Sequence, residues 1–132
     1  MEGSGKWCYY EGVKEAEAMN FDDYQKTVAQ FDVFAGNVPK VDGVGFMAKV
    51  AGLCEEAGEV AGKFKRIYRE GKGTLRKGDK EKIAKELGDV LWYTATIARY
   101  LEVDLSTVAE ENVAKLSSRM KRGEIGGMGD ER

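Results

Sequence analysis

The sequence predicts an all-α fold, a four-helix bundle, on three observations. Apolar residues recur at steps of three and four along most of the chain, and no segment alternates convincingly at a step of two, the period that separates strands from helices. Glycine-rich or polar breaks at Gly36 to Gly43, at Gly71 to Asp79 and from Gly123 onward cut the chain into helix-length pieces, with the lone proline, Pro39, inside the first break. The 132 residues suffice for one buried core but not for two independently stable ones. With 42% apolar and 33% charged residues, the composition is that of a folded chain.

Residues 1–19 carry Trp7, Tyr9 and Tyr10 without a clear period and form an unassigned N-terminal extension to a domain over 20–132. The first helix is expected from Phe21 to Ala35, with Asn20 as N-cap and Tyr24, Val28, Phe31 and Ala35 at helical spacing. The second runs from Val44 to Arg69 on a stripe of Phe46, Val50, Leu53, Cys54, Ala57, Val60, Ala61, Phe64, Ile67 and Tyr68. Asp79 to Leu101 makes the third, with Ile83, Leu87, Val90, Leu91, Thr94, Ile97 and Leu101 inward. The fourth starts at Asp104 or Ser106 and ends at Arg122, on Leu105, Val108, Ala109, Leu116 and Met120. The tail GEIGGMGDER is too rich in glycine to extend a helix and is suited to close over a site as a strap. There is no internal repeat and no sustained heptad.

Charge and composition exclude several functions. A net charge of −2 and a pI of about 5.4 offer no general attraction to a nucleic-acid polymer or an anionic membrane. No apolar run approaches the roughly 20 residues of a membrane span, and the start MEGSGKWCYYEG lacks the apolar stretch of a signal peptide, so a cytoplasmic address is expected. Cys8 and Cys54 are too few for a disulfide framework or a cysteine zinc site, and Cys54 falls on the apolar stripe as a core residue. Without histidine, the Ser-His-Asp and Cys-His systems are excluded, as are the commonest zinc and iron sites. Chemistry must rest on carboxylates, lysines, arginines and tyrosines.

Two acidic pairs stand out. Glu56 and Glu59 are three apart on the second helix, and Glu86 and Asp89 repeat the spacing on the third, so each pair shares a face, with Glu56 and Glu86 at the edge of the apolar stripe and Glu59 and Asp89 further round. If those helices are antiparallel neighbours, four carboxylates converge and repel one another unless a cation sits among them; hard Mg²⁺, or Mn²⁺ in its place, suits an all-oxygen set. Read singly, each pair is an ordinary solvated face. Gly52, Gly58 and Gly88 sit beside the acids inside helices, where glycine costs roughly 1 kcal/mol, which points to close backbone approach. Trp92, Tyr93, Thr96 and Tyr100 lie off the main stripe of the third helix, as a packing face for another subunit or a stacking platform for a base. Asn112, Lys115 and Arg119 line the fourth helix, as a phosphate clamp or, for the two cations, as mere complements to the helix dipole. The basic loop from Lys72 to Lys77 has a phosphate contact as one reading, but it matches no phosphate-loop signature and reads first as a solvated connection.

These residues together resemble a family, the MazG-like all-α nucleotide pyrophosphohydrolases, whose mark is E-x-x-E followed on the next helix by E-x-x-D. The chain reads GLCEEAGEVAGKFK, then KELGDVLWY, then ENVAKLSSRMKRGEIGGMGDER, and the likeness spans Tyr24 to Arg132. The resemblance implies Mg²⁺ held by Glu56, Glu59, Glu86 and Asp89, a nucleoside triphosphate substrate with Asn112, Lys115 and Arg119 near its phosphates, and a homodimer or homotetramer. It also implies hydrolysis between the α- and β-phosphates; with no histidine, Glu55 is the spare acid for orienting or deprotonating the water, while Trp92 and Tyr93 are the aromatics available to the base. Rival readings keep the fold with phosphoribosyl-ATP or a deoxyuridine nucleotide as substrate, or make the chain a non-catalytic, metal-holding dimerisation module. A di-iron carboxylate bundle would need Glu-x-x-His ligands, which are absent.

Overall fold

The computed structural model describes residues 18–71 and 73–123. Most of the N-terminal extension, with Trp7, Cys8, Tyr9 and Tyr10, lies outside the described residues, as do Lys72 of the basic loop and the glycine-rich tail after Gly123. Asn20 starts α1 (Phe21–Val28) as its residue type predicts: it is extended, and its side chain accepts the Asp23 N–H at 2.9 Å, satisfying one donor that a helix start leaves open. The helix does not reach Ala35. A 3₁₀ turn over Ala29–Phe31 follows, and Asp32 then turns extended. The cause is tertiary, because the fully buried Asp32 carboxylate accepts a hydrogen bond from Tyr100 at 2.5 Å and pairs with Lys49 at 2.9 Å and with Arg99. Phe31 and Ala35, expected on the inner stripe, are consequently exposed.

α2 (Val44–Gly71) and α3 (Asp79–Tyr100) form an antiparallel hairpin. Phe46 meets Tyr100 with ring centroids 6.0 Å apart, Gly52 abuts Tyr93, and Lys63 reaches Glu86. The buried face of α2 is rotated from the predicted stripe. Phe46, Lys49, Gly52 and Ile67 are buried and Glu56 and Lys63 half-buried, whereas Ala57, Ala61, Phe64 and Tyr68 are exposed. Cys54 is also exposed, which corrects its assignment to the core. An inner face carrying Lys49, Glu56 and Lys63 needs polar partners, and Lys49 finds Asp32 at 2.9 Å while Lys63 finds Glu86 at 2.6 Å. Thr96 and Tyr100 are 2% and 4% exposed and belong to the interior, not to a free aromatic face, while Leu87 of the predicted stripe stays exposed.

α3 ends where Glu102 takes φ 59°, the sole positive value among the described non-glycine residues. The Val103 N–H returns to the Ala98 carbonyl at 2.9 Å and the Glu102 N–H to that of Arg99 at 3.0 Å, a Schellman closure. α4 (Leu105–Arg122) then begins with Asp104 in the cap position but without a side-chain cap bond. Helix α1 supplies the acceptors: Gln25 Oε1 takes the Leu105 N–H at 3.1 Å, and Asp22 Oδ1 takes the Ser106 N–H at 3.2 Å. The buried Gln25 also donates to the Val103 carbonyl at 3.0 Å, pinning α1 to the α3–α4 corner. Around this corner sits an aliphatic core of Val28, Ala95, Ala98 and Leu105, flanked by Tyr24, Leu91 and Trp92. Farther along α4, Val108, Leu116 and Met120, expected inward, are exposed, as is Val113. The described residues form four α-helices and no strand, and no helix among them is long and apolar enough to cross a membrane.

Candidate metal centre

Lys49, Glu56 and Lys63 recur every seven residues, two helical turns, which puts them on the side of α2 that faces α3. Glu86 and Asp89, one turn apart, answer from α3. One carboxylate oxygen from each of Glu56, Glu86 and Asp89 lies within 4.8 Å of the others. Glu56 and Glu86 are half-buried and Asp89 is exposed. Glu59 does not join this group. It lies at the outer edge of α2, 52% exposed, with its carboxylate 3.9 Å from the Lys63 ammonium. Lys63 itself sits 2.6 Å from Glu86 Oε1, placing one positive charge beside three negative ones.

The electrostatics record that excess. Partial desolvation, then the negative charges of Asp89, Glu59, Glu55 and Glu86, push the Glu56 carboxyl above the ordinary carboxylate range. Two tyrosines feel the same field. Tyr93 is raised by desolvation and by Glu56, Glu55 and Asp89, and Tyr24, from α1, is raised by desolvation and by Asp89. Tyr93 stands there because residue 52 is glycine: a Cβ at Gly52 would fall 2.3 Å from the Tyr93 ring. Gly58 and Gly88 meet nothing within 4 Å, so the close approach expected of all three glycines holds at Gly52 alone.

The other predicted site residues are placed as follows. Glu55 is exposed, near enough for its charge to act on Glu56 and Tyr93. Trp92 is half-buried against the aliphatic core, edge-on to Tyr93 with centroids 4.7 Å apart, and the Lys49 ammonium lies 4.6 Å from its ring centre. Asn112 and Lys115 are exposed and Arg119 half-buried on α4. Among the described residues, the charges that raise the Glu56 carboxyl are those of Asp89, Glu59, Glu55 and Glu86. Sequence reasoning missed Lys63 and Tyr24. A lysine seven residues after Glu56 and four after Glu59 was the available signal for the first; the second was legible only as a core residue.

An all-oxygen donor set with a net negative charge, set between two helices and partly shielded from water, fits a hard divalent cation. With no histidine in the chain, it lacks the imidazole ligands of the commonest zinc and iron sites. Residues 46–123, from the buried end of α2 to the close of α4, match the model of the MazG nucleotide pyrophosphohydrolase domain. The chain is also similar to the Gene 37 protein of Mycobacterium phage L5, at 40% identity over 116 residues that cover 86% of this chain and 100% of that protein. No solved structure matches the chain.

Proposed function

The chain belongs to the MazG nucleotide pyrophosphohydrolase family, and from that premise we propose that it hydrolyses a nucleoside triphosphate between the α- and β-phosphates, giving a monophosphate and pyrophosphate. The observation that carries the reading is the convergence of Glu56, Glu86 and Asp89 across the α2–α3 hairpin. These three hold Mg²⁺, with Glu59 at the margin as a fourth ligand and Mn²⁺ as a substitute. The ion supplies Lewis-acid neutralisation of phosphate charge and lowers the pKa of water. Glu55, an exposed carboxylate next to Glu56, orients the attacking water and takes its proton. The water oxygen bonds to the α-phosphorus, the bond from that phosphorus to the bridging oxygen breaks, and the electron pair leaves with pyrophosphate. Tyr93 is the aromatic beside the carboxylates that meets the nucleotide, while Trp92 packs behind it. Asn112, Lys115 and Arg119 approach the phosphates from α4.

The working form is a homo-oligomer. Met47, Phe64 and Tyr68 on α2 and Val113, Leu116 and Met120 on α4 are exposed in the single chain, a set that a second copy covers. The expected aromatic face on α3 no longer supports this, since Tyr100 is interior. Light scattering at micromolar concentration checks the mass; a 14.6 kDa monomer contradicts the oligomer.

Pyrophosphate release across normal and damaged nucleoside triphosphates, phosphoribosyl-ATP and deoxyuridine nucleotides tests the activity and selects the substrate. Turnover requires Mg²⁺ or Mn²⁺, stops with EDTA, and falls at least about a hundredfold in Asp89→Asn, the scale of losing a group that acts on the transition state. No pyrophosphate from any of these compounds would leave the non-catalytic helical module as the better reading.

A further inference from the structure

At the loop end of the α2–α3 hairpin, next to the carboxylates, lies a cavity of about 180 Å³ walled by Lys63, Arg66, Arg76, Lys77 and Lys82. We infer that this basic pocket binds the outer phosphates of the substrate and holds them as the pyrophosphate leaving group. The inference rests on the pyrophosphohydrolase reading and adds to it a subsite on α2, the loop and α3.

The charge balance is the first support. Five cations face two acids, Glu70 and Asp79, in a chain whose net charge is −2. The two acids offset part of that charge and leave a formal surplus of three. Glu70 bonds to Arg69 at 2.9 Å and is held below the usual carboxylate range first by that bond and then by the charges of Arg69, Arg66 and Arg76. Asp79 accepts the Arg76 backbone N–H at 2.7 Å. Arg66, Lys77 and Lys82 form no ion pair among the described residues, so the pocket keeps a positive surplus. Arg76 is fixed in its wall by donating to the Glu70 main-chain carbonyl, which closes the last turn of α2. Like charges gathered around a concave space repel one another, and an anion relieves them.

Position is the second support. Lys63 belongs to both places: its ammonium touches Glu86 at 2.6 Å and its side chain lines the pocket. Lys82 precedes Glu86 by one turn of α3, a step of about 6 Å that the outer phosphates of a triphosphate cover when its α-phosphate lies at the carboxylates. A cation bound by Glu86 competes with Lys63 for that carboxylate, and a displaced Lys63 finds its next partner in phosphate oxygens on the pocket wall. Guanidinium groups suit this duty because they bond two oxygens at once. The basic loop that reads in the sequence as a solvated connection therefore contributes Arg76 and Lys77 to an anion site.

The test is calorimetric titration of the full-length protein with inorganic pyrophosphate in EDTA, together with nucleotide hydrolysis in Mg²⁺. Parent protein, Arg66→Ala, Lys82→Ala and the control Lys65→Ala, an exposed α2 cation outside the pocket, are compared after circular dichroism has checked their folds. Binding weakens at least tenfold in the first two variants, Lys65→Ala matches the parent, and Arg66→Lys recovers part of the loss. KM for the triphosphate rises in the same order. Pyrophosphate binding equal to the parent in both alanine variants overturns the pocket, whatever the hydrolysis shows. Weakened binding with no turnover of any nucleotide by the parent overturns the functional reading instead, and with it the assignment of the anion as a leaving group.

Discussion

Asp32 and the group formed by Glu56, Glu86 and Asp89 meet the same helix pair at two levels, with opposite charge balances. At Asp32 one buried carboxylate receives Lys49, Arg99, the Tyr100 hydroxyl and the Phe34 N–H. At the other level three carboxylates share one ammonium, Lys63. Burial raises the Asp32 pKa, but the hydrogen bonds from Tyr100 and Lys49 outweigh it and hold the carboxyl below its usual value. Glu56 is shifted the other way by its desolvation and its neighbours. The difference separates an acid whose charge the fold already matches, and which has little left to offer a cation, from acids whose charge the fold leaves in excess.

Removing the Asp32 charge should produce the largest change in stability. Asp32→Asn leaves Lys49 and Arg99 without their counter-charge in a buried setting, and about 3–5 kcal/mol of unfolding free energy is lost, measured by urea titration. A loss under about 1 kcal/mol would show the cluster to be solvated and the contrast unreal. Tyr100→Phe comes next, at about 1.5–3 kcal/mol, because it removes one hydrogen bond to a carboxylate while the ring still packs on Phe46. At the other level the sign reverses. Glu56→Gln relieves like-charge repulsion and raises the melting temperature of the metal-free protein slightly; a fall would mean that Glu56 is compensated after all.

Acid titration sharpens the contrast without mutation. Glu56, raised in the fold, disfavours the native state while it is ionised; as pH falls through its folded value the metal-free protein gains stability, down to the unfolded value of about 4.3. Asp32, lowered in the fold, contributes stability that is full above about pH 3.9, its unfolded value, and lost as pH falls through its folded value. Metal-free stability should therefore rise on mild acidification and collapse below about pH 4. The rise disappears in Glu56→Gln. A monotonic curve in the parent, superimposable on that of the variant, would remove Glu56 from the acidic group.

How much of this was legible in the sequence follows the same division. The spans of α2, α3 and α4 and the Asn20 cap depend on local periodicity and residue type, and they are where the sequence places them to within two residues. The end of α1 is not, because Asp32 is pulled from the helix by partners 17 to 68 residues away. The phase of α2 also escaped reading: an apolar stripe marks an inner face only when that face is apolar, and here Lys49, Glu56 and Lys63 look inward while Phe64 and Tyr68 look out. The acidic pairs were visible because i, i+3 spacing is local. How closely the four acids meet was not, since it depends on the rotation of α2 against α3, and that rotation brings Glu56 to Glu86 and Asp89 while Glu59 stays at the margin. Gln25, which caps a helix 80 residues away, gave no sequence signal at all.

The central claim is that the uncompensated acids, and not the compensated one, hold the metal. It is tested most directly by titrating Mn²⁺ into the protein and following free Mn²⁺ by electron paramagnetic resonance, in the parent, in Glu86→Gln and in Tyr100→Phe. The account predicts saturable binding by the parent, at least tenfold weaker binding by Glu86→Gln, about 1.4 kcal/mol, and parent-like binding by Tyr100→Phe. Parent-like affinity in a folded Glu86→Gln protein would place the metal somewhere other than between α2 and α3 and contradict it.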